Sequence, residues 1–305
     1  MLVGLLASLA TAIFKAGTDV TFKLAGKVVR HDAILLLVQR SVEALVALAV
    51  IFFGAFFLHK GIALPRGVFE PGFWMVATAS AVLGGLALYL TIKALRLSDV
   101  SLVSPMTQLT PLILLVTSPL MLGEQLTFEG VLGVMGVVAG SYCMGLGVPD
   151  EAGGMNPFGS FRRLFSDKGV QCALLASLLY GVTSNLDKMA VAYTSPAWWI
   201  FIHALTICIP LYAFTRFSRA RERLLLSRGQ LGLAALPGIT GGAGSLLQMV
   251  AISYWPVPYV IAVKRLSSVI SVLSGSLLFK ERNGPWRMVG ALIMVASTVV
   301  VVLYG

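Results

Sequence analysis

Apolar residues run along this chain in long continuous blocks, without the alternation of a half-buried strand or the polar face of a surface helix. Ten blocks stand out, at about 2–22, 33–58, 73–95, 100–121, 128–147, 169–190, 196–216, 230–254, 257–279 and 286–304. Each approaches the roughly 20 apolar residues a helix needs to cross a bilayer core about 30 Å thick. Continuous runs favour helices over barrel strands, whose lipid-facing and lumen-facing residues alternate. The pattern therefore predicts an all-α, polytopic membrane protein of ten transmembrane helices. The longer connections run from His59 to Gly72, Val148 to Lys168 and Phe217 to Gly229, and none has room for an extramembrane domain. The N-terminal block is expected to be a span and not a cleaved leader. Leu2 to Phe14 carries no charge, and the first basic residue, Lys15, lies inside the block.

Composition narrows the choice in the same direction. Hydrophobic residues make up 57% of the 305 positions and charged residues 12%, about half the usual ~25% of a globular domain. A soluble domain of this size cannot bury so much apolar surface. Three cysteines cannot build a disulfide framework, and so apolar a chain has no reason to stay disordered. The net charge of +10 suggests nucleic acid until the basic residues are mapped. Lys23, Lys27, Arg30, Lys93, Arg96, Arg162, Arg163, Lys168, Arg216, Arg219, Arg221, Arg223, Arg228, Lys280, Arg282 and Arg287 flank connections 1–2, 3–4, 5–6, 7–8 and 9–10, whereas only Lys60 and Arg66 flank the opposite set. Basic connections stay cytoplasmic. Both termini are then expected outside the cytoplasm, in a multi-pass protein of the inner (plasma) membrane. Topology accounts for the charge, and no nucleic-acid partner is expected.

The chain also repeats itself. At an offset of 157, residues 94–144 lie over 251–301 without a gap, matching Ala94/Ala251, Val100/Val257, Leu109/Leu266, Ile113/Ile270, Leu120/Leu277, Glu124/Glu281, Gly133/Gly290 and Val138/Val295. Gly84-Gly85 falls on Gly241-Gly242 at the same offset, and the Leu-Leu-Ala-Ser-Leu of 5–9 recurs at 174–178. The expected organisation is a five-helix repeat over 1–147, a connection over 148–168 and a second five-helix repeat over 169–305. Five is odd, so the second repeat enters the membrane from the other side. Such a 5+5 inverted repeat places a substrate site near the midplane in secondary transporters.

Two five-helix halves, with Gly-Glu-Gln-Leu-Thr (123–127) opening span 5 and Leu-Phe-Lys-Glu-Arg (278–282) opening span 10, resemble the drug/metabolite transporter superfamily, EamA type. The resemblance covers essentially the whole chain. It implies a basket of helices around a central cavity lined by spans 1, 3, 4, 6, 8 and 9, and a lean toward export of amino acids or related metabolites. The segment Ala262-Val263-Lys264-Arg265-Leu266-Ser267 is also similar to the Lys-Arg segment of the triose-phosphate translocators. Many members of the superfamily are described with cytosolic termini, a departure from the orientation that the charges predict here.

A charge at the centre of a membrane helix costs about 2.5–3.5 kcal/mol on insertion scales, so intramembrane ionisable groups are candidates for function. Lys15 and Asp19 share one face of span 1, and Arg40 and Glu43 one face of span 2. Both pairs read either as self-neutralising ties between spans 1 and 2 or as an inner gate. Asp187 and Lys188 lie in span 6, where Lys188 is placed to snorkel outward. His203 in span 7 occupies the place equivalent to Arg40. The sharpest feature is Lys264-Arg265 in span 9, two adjacent cations with no acid on that helix before Glu281. They read either as partners of Asp187 or as holders of a solute carboxylate or phosphate, for which Arg offers a planar fork and Lys a point charge. Their repeat equivalents are Thr107 and Gln108. Tyr89 and Gln248 are further cavity-lining candidates, and Asp19, Glu43, Asp187 and His203 are candidates for proton coupling. Pro105, Pro111 and Pro119 free carbonyls and bend span 4. Gly84-Gly85 and Gly238, Gly241, Gly242 and Gly244 are expected to allow close helix packing, and Trp198, Trp199 and Trp255 to sit in the interfacial aromatic belt.

His31, His59 and His203 are isolated, and Cys143, Cys172 and Cys208 lie in apolar runs, so no metal or other cofactor is expected. There is no phosphate-cradling Gly-Lys-Ser/Thr loop and no paired nucleophile and base. The sequence thus points to a non-enzymatic secondary transporter of a small polar or anionic metabolite, a monomer or homodimer in lipid. The alternatives are an exchanger for phosphorylated or nucleotide-linked solutes and, from another class, a lipid-modifying enzyme or a non-transporting membrane subunit.

Overall fold

The computed structural model describes residues 2–29, 32–57, 62–98, 103, 106–146, 167–217, 226–270 and 285–305. His31, His59, Lys60, Pro105, Glu281 with the rest of the 278–282 motif, and nearly all of the 148–168 connection lie outside the described residues. The described residues form helices and connections without strands: α1 (Leu2–Gly26), α2 (Asp32–Phe57), α3 (Pro71–Leu97), α4 (Thr110–Leu122), α5 (Phe128–Leu146), α6 (Lys168–Tyr193), α7 (Pro196–Phe217), α8 (Arg228–Tyr254), α9 (Val257–Lys264) and α10 (Pro285–Tyr304). Six of them, α1, α2, α3, α6, α7 and α8, are long and apolar enough to cross a membrane. Shorter apolar helical stretches occupy α4, α5 and α10.

Local chemistry sets the helix ends. Asp167 starts α6 by accepting the N–H groups of Gly169 and Val170 at 2.8 and 3.0 Å. Ser227 and Gln230 cap α8 reciprocally: the Ser227 N–H donates to the Gln230 side chain at 3.0 Å, and the Gln230 N–H to Ser227 Oγ at 3.3 Å. Gly123 closes α4 at φ 66°, in the left-handed region, with its N–H on the Pro119 carbonyl at 3.0 Å. Hydroxyls inside the helices turn back on their own carbonyls, as Ser8 does on Gly4 and Thr11 on Ala7, both at 2.7 Å. These two hydroxyl donors are thereby satisfied within their own helix.

The chain divides into two compact units, residues 1–81 with 187–254 and residues 82–186 with 255–305. Each unit draws on both halves of the sequence. In the first, α1 packs along α8, α8 along α2, and α2 along α7. Glycines seat α8 on α2: a Cβ added at Gly238 would meet Val42 Cβ at 2.5 Å, and one at Gly242 the Glu43 Cα at 3.2 Å. Phe73 is fully buried between Tyr193 and Trp199. In the second unit α5 packs along α10 and α4 against α9. A Cβ at Gly140 would lie 2.7 Å from the Gly290 carbonyl, and one at Gly133 3.0 Å from the Ser297 carbonyl. Moving Gly140 forward and Gly290 back by 157 gives Ser297 and Gly133, so exchanging the two repeats maps the crossing onto itself, and the helices run antiparallel. Ala94, Val103, Met106, Val170 and Ala173 form a further core in this unit.

Three expectations change. Trp199 is fully buried against Phe73 and His203, so it packs in the protein core and does not belong to an interfacial belt. Gly84 and Gly85 leave space, with only Thr183 Cγ2 at 3.9 Å from the first and nothing within 4 Å of the second, so the close approach seen at Gly241-Gly242 is not repeated there. Span 9, drawn unbroken from 257, is interrupted at Arg265.

Candidate functional site

Proline dictates the geometry of the region before α4. A helical carbonyl at position i accepts the N–H of i+4, and Pro111 has no N–H to give Thr107. The local bonds shorten to i+3: the Leu109 N–H reaches the Met106 carbonyl at 3.2 Å, and the Leu112 N–H the Leu109 carbonyl at 2.9 Å. Side chains bond the carbonyls of this turn as well. Ser177 of α6 donates to Met106 O at 2.7 Å. Arg265 Nη2 donates to Thr107 O at 3.0 Å, joined by Thr110 Oγ1 at 3.2 Å.

Arg265 itself stands at a second break. It ends α9 with its N–H on the Ala262 carbonyl at 3.0 Å, while Ser268 N–H bonds its carbonyl at 2.9 Å, again in i+3 fashion. Helix resumes over 266–270. The turn before α4 spans Gln108 and Leu109, and Gln108 is the repeat equivalent of Arg265. Equivalent helices thus break at equivalent places, and the two breaks are tied by one guanidinium. Lys264, Arg265, Thr107 and Gln108 are all half-buried, and Gln108 Oε1 is buried without a hydrogen-bond partner. Tyr89, on α3 in the same unit, is exposed with the Lys93 ammonium 5.9 Å from its ring centroid.

The Gly-Glu-Gln-Leu-Thr segment secures this pair of helices at the other end. Glu124 accepts the Val257 N–H at 3.0 and 3.2 Å, capping the first turn of α9, where the following residue is Pro258. Thr127 donates its N–H to the fully buried Tyr259 hydroxyl at 2.9 Å, and its own hydroxyl bonds the Tyr304 carbonyl at 2.6 Å. One short connection therefore fixes α4, α5, α9 and α10.

The remaining candidates lie in the first unit. Asp187 accepts from Ser80 Oγ at 2.8 Å; it belongs to one unit and Lys264-Arg265 to the other. Gln248 is buried on α8. Lys15 and Asp19 form an ion pair within α1, both about half exposed. Arg40 Nη1 donates to Glu43 Oε2 at 2.8 Å, and Gln39 Nε2 to Oε1 at 3.0 Å, around a carboxylate that is almost wholly buried. These pairs do not tie spans 1 and 2 together. Each is internal to its helix, and Glu43 instead faces α8, where a Cβ at Gly241 would stand 2.8 Å from Oε1. The His203 ring lies tilted against Trp199, centroids 5.1 Å apart, and within electrostatic reach of Arg40. Ser41 and Cys208 bridge α2 and α7 at 3.7 Å. Gln39 and Arg40 thus hold the Glu43 carboxylate where α2 packs on α8.

Two features escaped the sequence reading. Asn185 is fully buried: it accepts from Ser118 Oγ at 2.7 Å and donates to Thr117 Oγ1 at 3.0 Å and Met121 Sδ at 3.4 Å. Its only sequence signal was an amide inside an apolar block. Asp167 is the other. Its carboxyl lies below the usual range because the Ser98 hydroxyl and then the Val170 N–H hold the charged form.

Long apolar helices, packed against one another across the two halves of the sequence, define a polytopic membrane protein. The model of the EamA-like transporter family matches the chain twice, over residues 2–146 and 167–303, and the chain belongs to that family. It is accordingly a membrane transporter of the drug/metabolite type. No curated protein matches the sequence. One solved structure, titled only as the crystal structure of a protein, is similar with a TM-score of 0.73 and 15% identity, covering 98% of this chain and 96% of that one. At that identity the likeness concerns the fold.

Proposed function

We propose that this protein is a ten-span secondary transporter of the inner membrane that moves a small anionic metabolite by alternating access, with its solute held beside the paired breaks in spans 4 and 9. The observation carrying this reading is that α4 and α9 are both interrupted at repeat-equivalent positions with Lys264 and Arg265 at the break. Broken membrane helices are tolerated where they line a cavity, and transporters place solute sites at such breaks. The antiparallel run of α4 against α9 and of α5 against α10 supports an inverted repeat, whose halves rock to open the site to each side in turn. Lys264 offers the anion a point charge, Arg265 part of its fork, and Thr107 and Gln108 polar contacts. Tyr89, Gln248 and Asp187 are further solute-contact candidates. Lys15, Asp19, Arg40, Glu43 and His203 are assigned to gating and coupling. Both termini face outward under the distribution of basic residues.

Adjacent Lys and Arg also favour a second reading, exchange of phosphorylated solutes, since a phosphate takes both a fork and a point charge. One screen tests both. Detergent-purified wild type and a Lys264→Ala variant are melted with amino acids, dicarboxylates, sugar phosphates and nucleotides. A ligand of the native state raises apparent stability by RT ln(1 + L/Kd), where L is its free concentration. An anion that stabilises only the wild type supports the site and names its class. Equal responses from both proteins would remove the solute from spans 4 and 9.

A further inference from the structure

We infer that Arg265 is a positioning residue whose guanidinium stands in for the backbone N–H that Pro111 withholds from Thr107, so that one side chain of the second repeat holds the bend of the first. The chemistry is specific to this pair of sites. Among the described prolines of the span-4 region, Pro111 is the one whose i−4 residue, Thr107, has its carbonyl bonded by a side chain of span 9. The donor reaches it from α9 at 3.0 Å, a distance typical of a well-formed bond. A half-buried guanidinium nitrogen thus finds an acceptor, and a carbonyl that lacks its helical donor gains a charged donor beside the longer bond from Thr110 Oγ1 at 3.2 Å.

The bond also has a place in the symmetry of the fold. Arg265 is the repeat equivalent of Gln108, so the guanidinium binds the residue next to its own counterpart. Both ends of the contact are at interruptions, Thr107 before the turn at 108–109 and Arg265 where α9 ends. Glu124 holds the N-terminus of α9, seven residues before Lys264, on the connection that leaves α4. The pair α4–α9 is therefore fastened at both ends, by a carboxylate at one and a guanidinium at the other. Lys264 lies between these fastenings, one residue from the second. This inference rests on the reading of Lys264 as the anion holder only for its functional consequence; the bond itself is tested without solute.

The test is a mutant cycle on the full-length protein in detergent, read by thermal melting and by amide hydrogen exchange. Arg265→Met should lower the apparent Tm by about 2–4 °C and speed exchange over 107–113 and 259–268 on the order of tenfold. Arg265→Lys, which keeps a cationic donor, should recover most of the protection. Pro111→Ala returns an N–H to Thr107, and in the Arg265→Met background it should restore at least half of both losses. In the wild-type background it should add little. If Arg265→Met does not yield folded protein, recovery of a monodisperse Pro111→Ala/Arg265→Met double variant is the expected result. Equal effects of Pro111→Ala in both backgrounds, no recovery with Arg265→Lys, or a double variant that still fails to fold would each overturn the inference. None of these outcomes depends on Lys264, so the cycle and the anion screen fail separately.

Discussion

Asn185 shows how much a single amide does inside an apolar helix pair. Its oxygen and nitrogen engage Ser118, Thr117 and Met121 across α4 and α6 with no exposure of the residue. Asn185→Ala should therefore leave the Ser118 hydroxyl without its acceptor and destabilise the protein by about 1–3 kcal/mol, read as a lower melting temperature. A loss within a few tenths of a kcal/mol would mean that the hydroxyls find other partners. Asp167 is the surface counterpart. Its folded-state pKa is lowered, by the Ser98 hydroxyl first, from the ordinary value of 3.8. A depressed carboxylate stabilises fully above its unfolded pKa, and the contribution fades as pH falls through the folded value. Asp167→Ala should thus cost about 1 kcal/mol at neutral pH, as N-cap removal does. The gap between wild type and variant should narrow below about pH 4. A gap that stays constant down to pH 2 would point away from the cap.

Helices were the most legible level of the sequence, because a block of 20 apolar residues has few alternatives once it is too long for a soluble core. Their ends were legible where the chemistry is local: Ser227-x-x-Gln230 makes its cap within four residues. Interruptions were legible only in part. Pro111 announces a bend in span 4, but nothing in Val-Lys-Arg-Leu announces the break at Arg265, whose guanidinium meets a carbonyl more than 150 residues away. For the same reason Trp199 looked interfacial, when its neighbours Phe73 and His203 bury it. Gly-rich stretches, too, are read only in the fold. Gly140 and Gly85 look alike in sequence, yet one faces a carbonyl at 2.7 Å and the other open space. Gly140→Ala should destabilise by about 1–3 kcal/mol through overpacking of α5 on α10. Gly85→Ala should be neutral or slightly stabilising in the same melting assay. Equal effects would contradict the helix crossing described.

At the scale of the molecule, the repeat of 157 residues was visible in Gly, Glu and Leu markers, and the chain matches its family model once per half. Which candidate charges share an environment was not visible. Spacing put Arg40 beside Glu43, but only the fold brings Gln39, Gly241 and His203 to the same place. The orientation proposed from basic residues carries its own prediction. In a background without Cys143, Cys172 and Cys208, a cysteine appended after Gly305 should react with an impermeant maleimide added outside intact cells. One placed at Arg223 should react only after the membrane is opened. The reverse pattern would invert the topology.

The central claim is that this chain alone moves an anionic metabolite held by the cation at the span-9 break. Purified wild type and Lys264→Ala are reconstituted into liposomes preloaded with a defined mixture of amino acids, dicarboxylates and sugar phosphates, and each solute remaining inside is followed by mass spectrometry. At least one anionic solute should leave wild-type liposomes faster than protein-free ones, and Lys264→Ala should slow its exit at least tenfold. Release of neutral or cationic solutes alone, or equal anion release by both proteins, would contradict it.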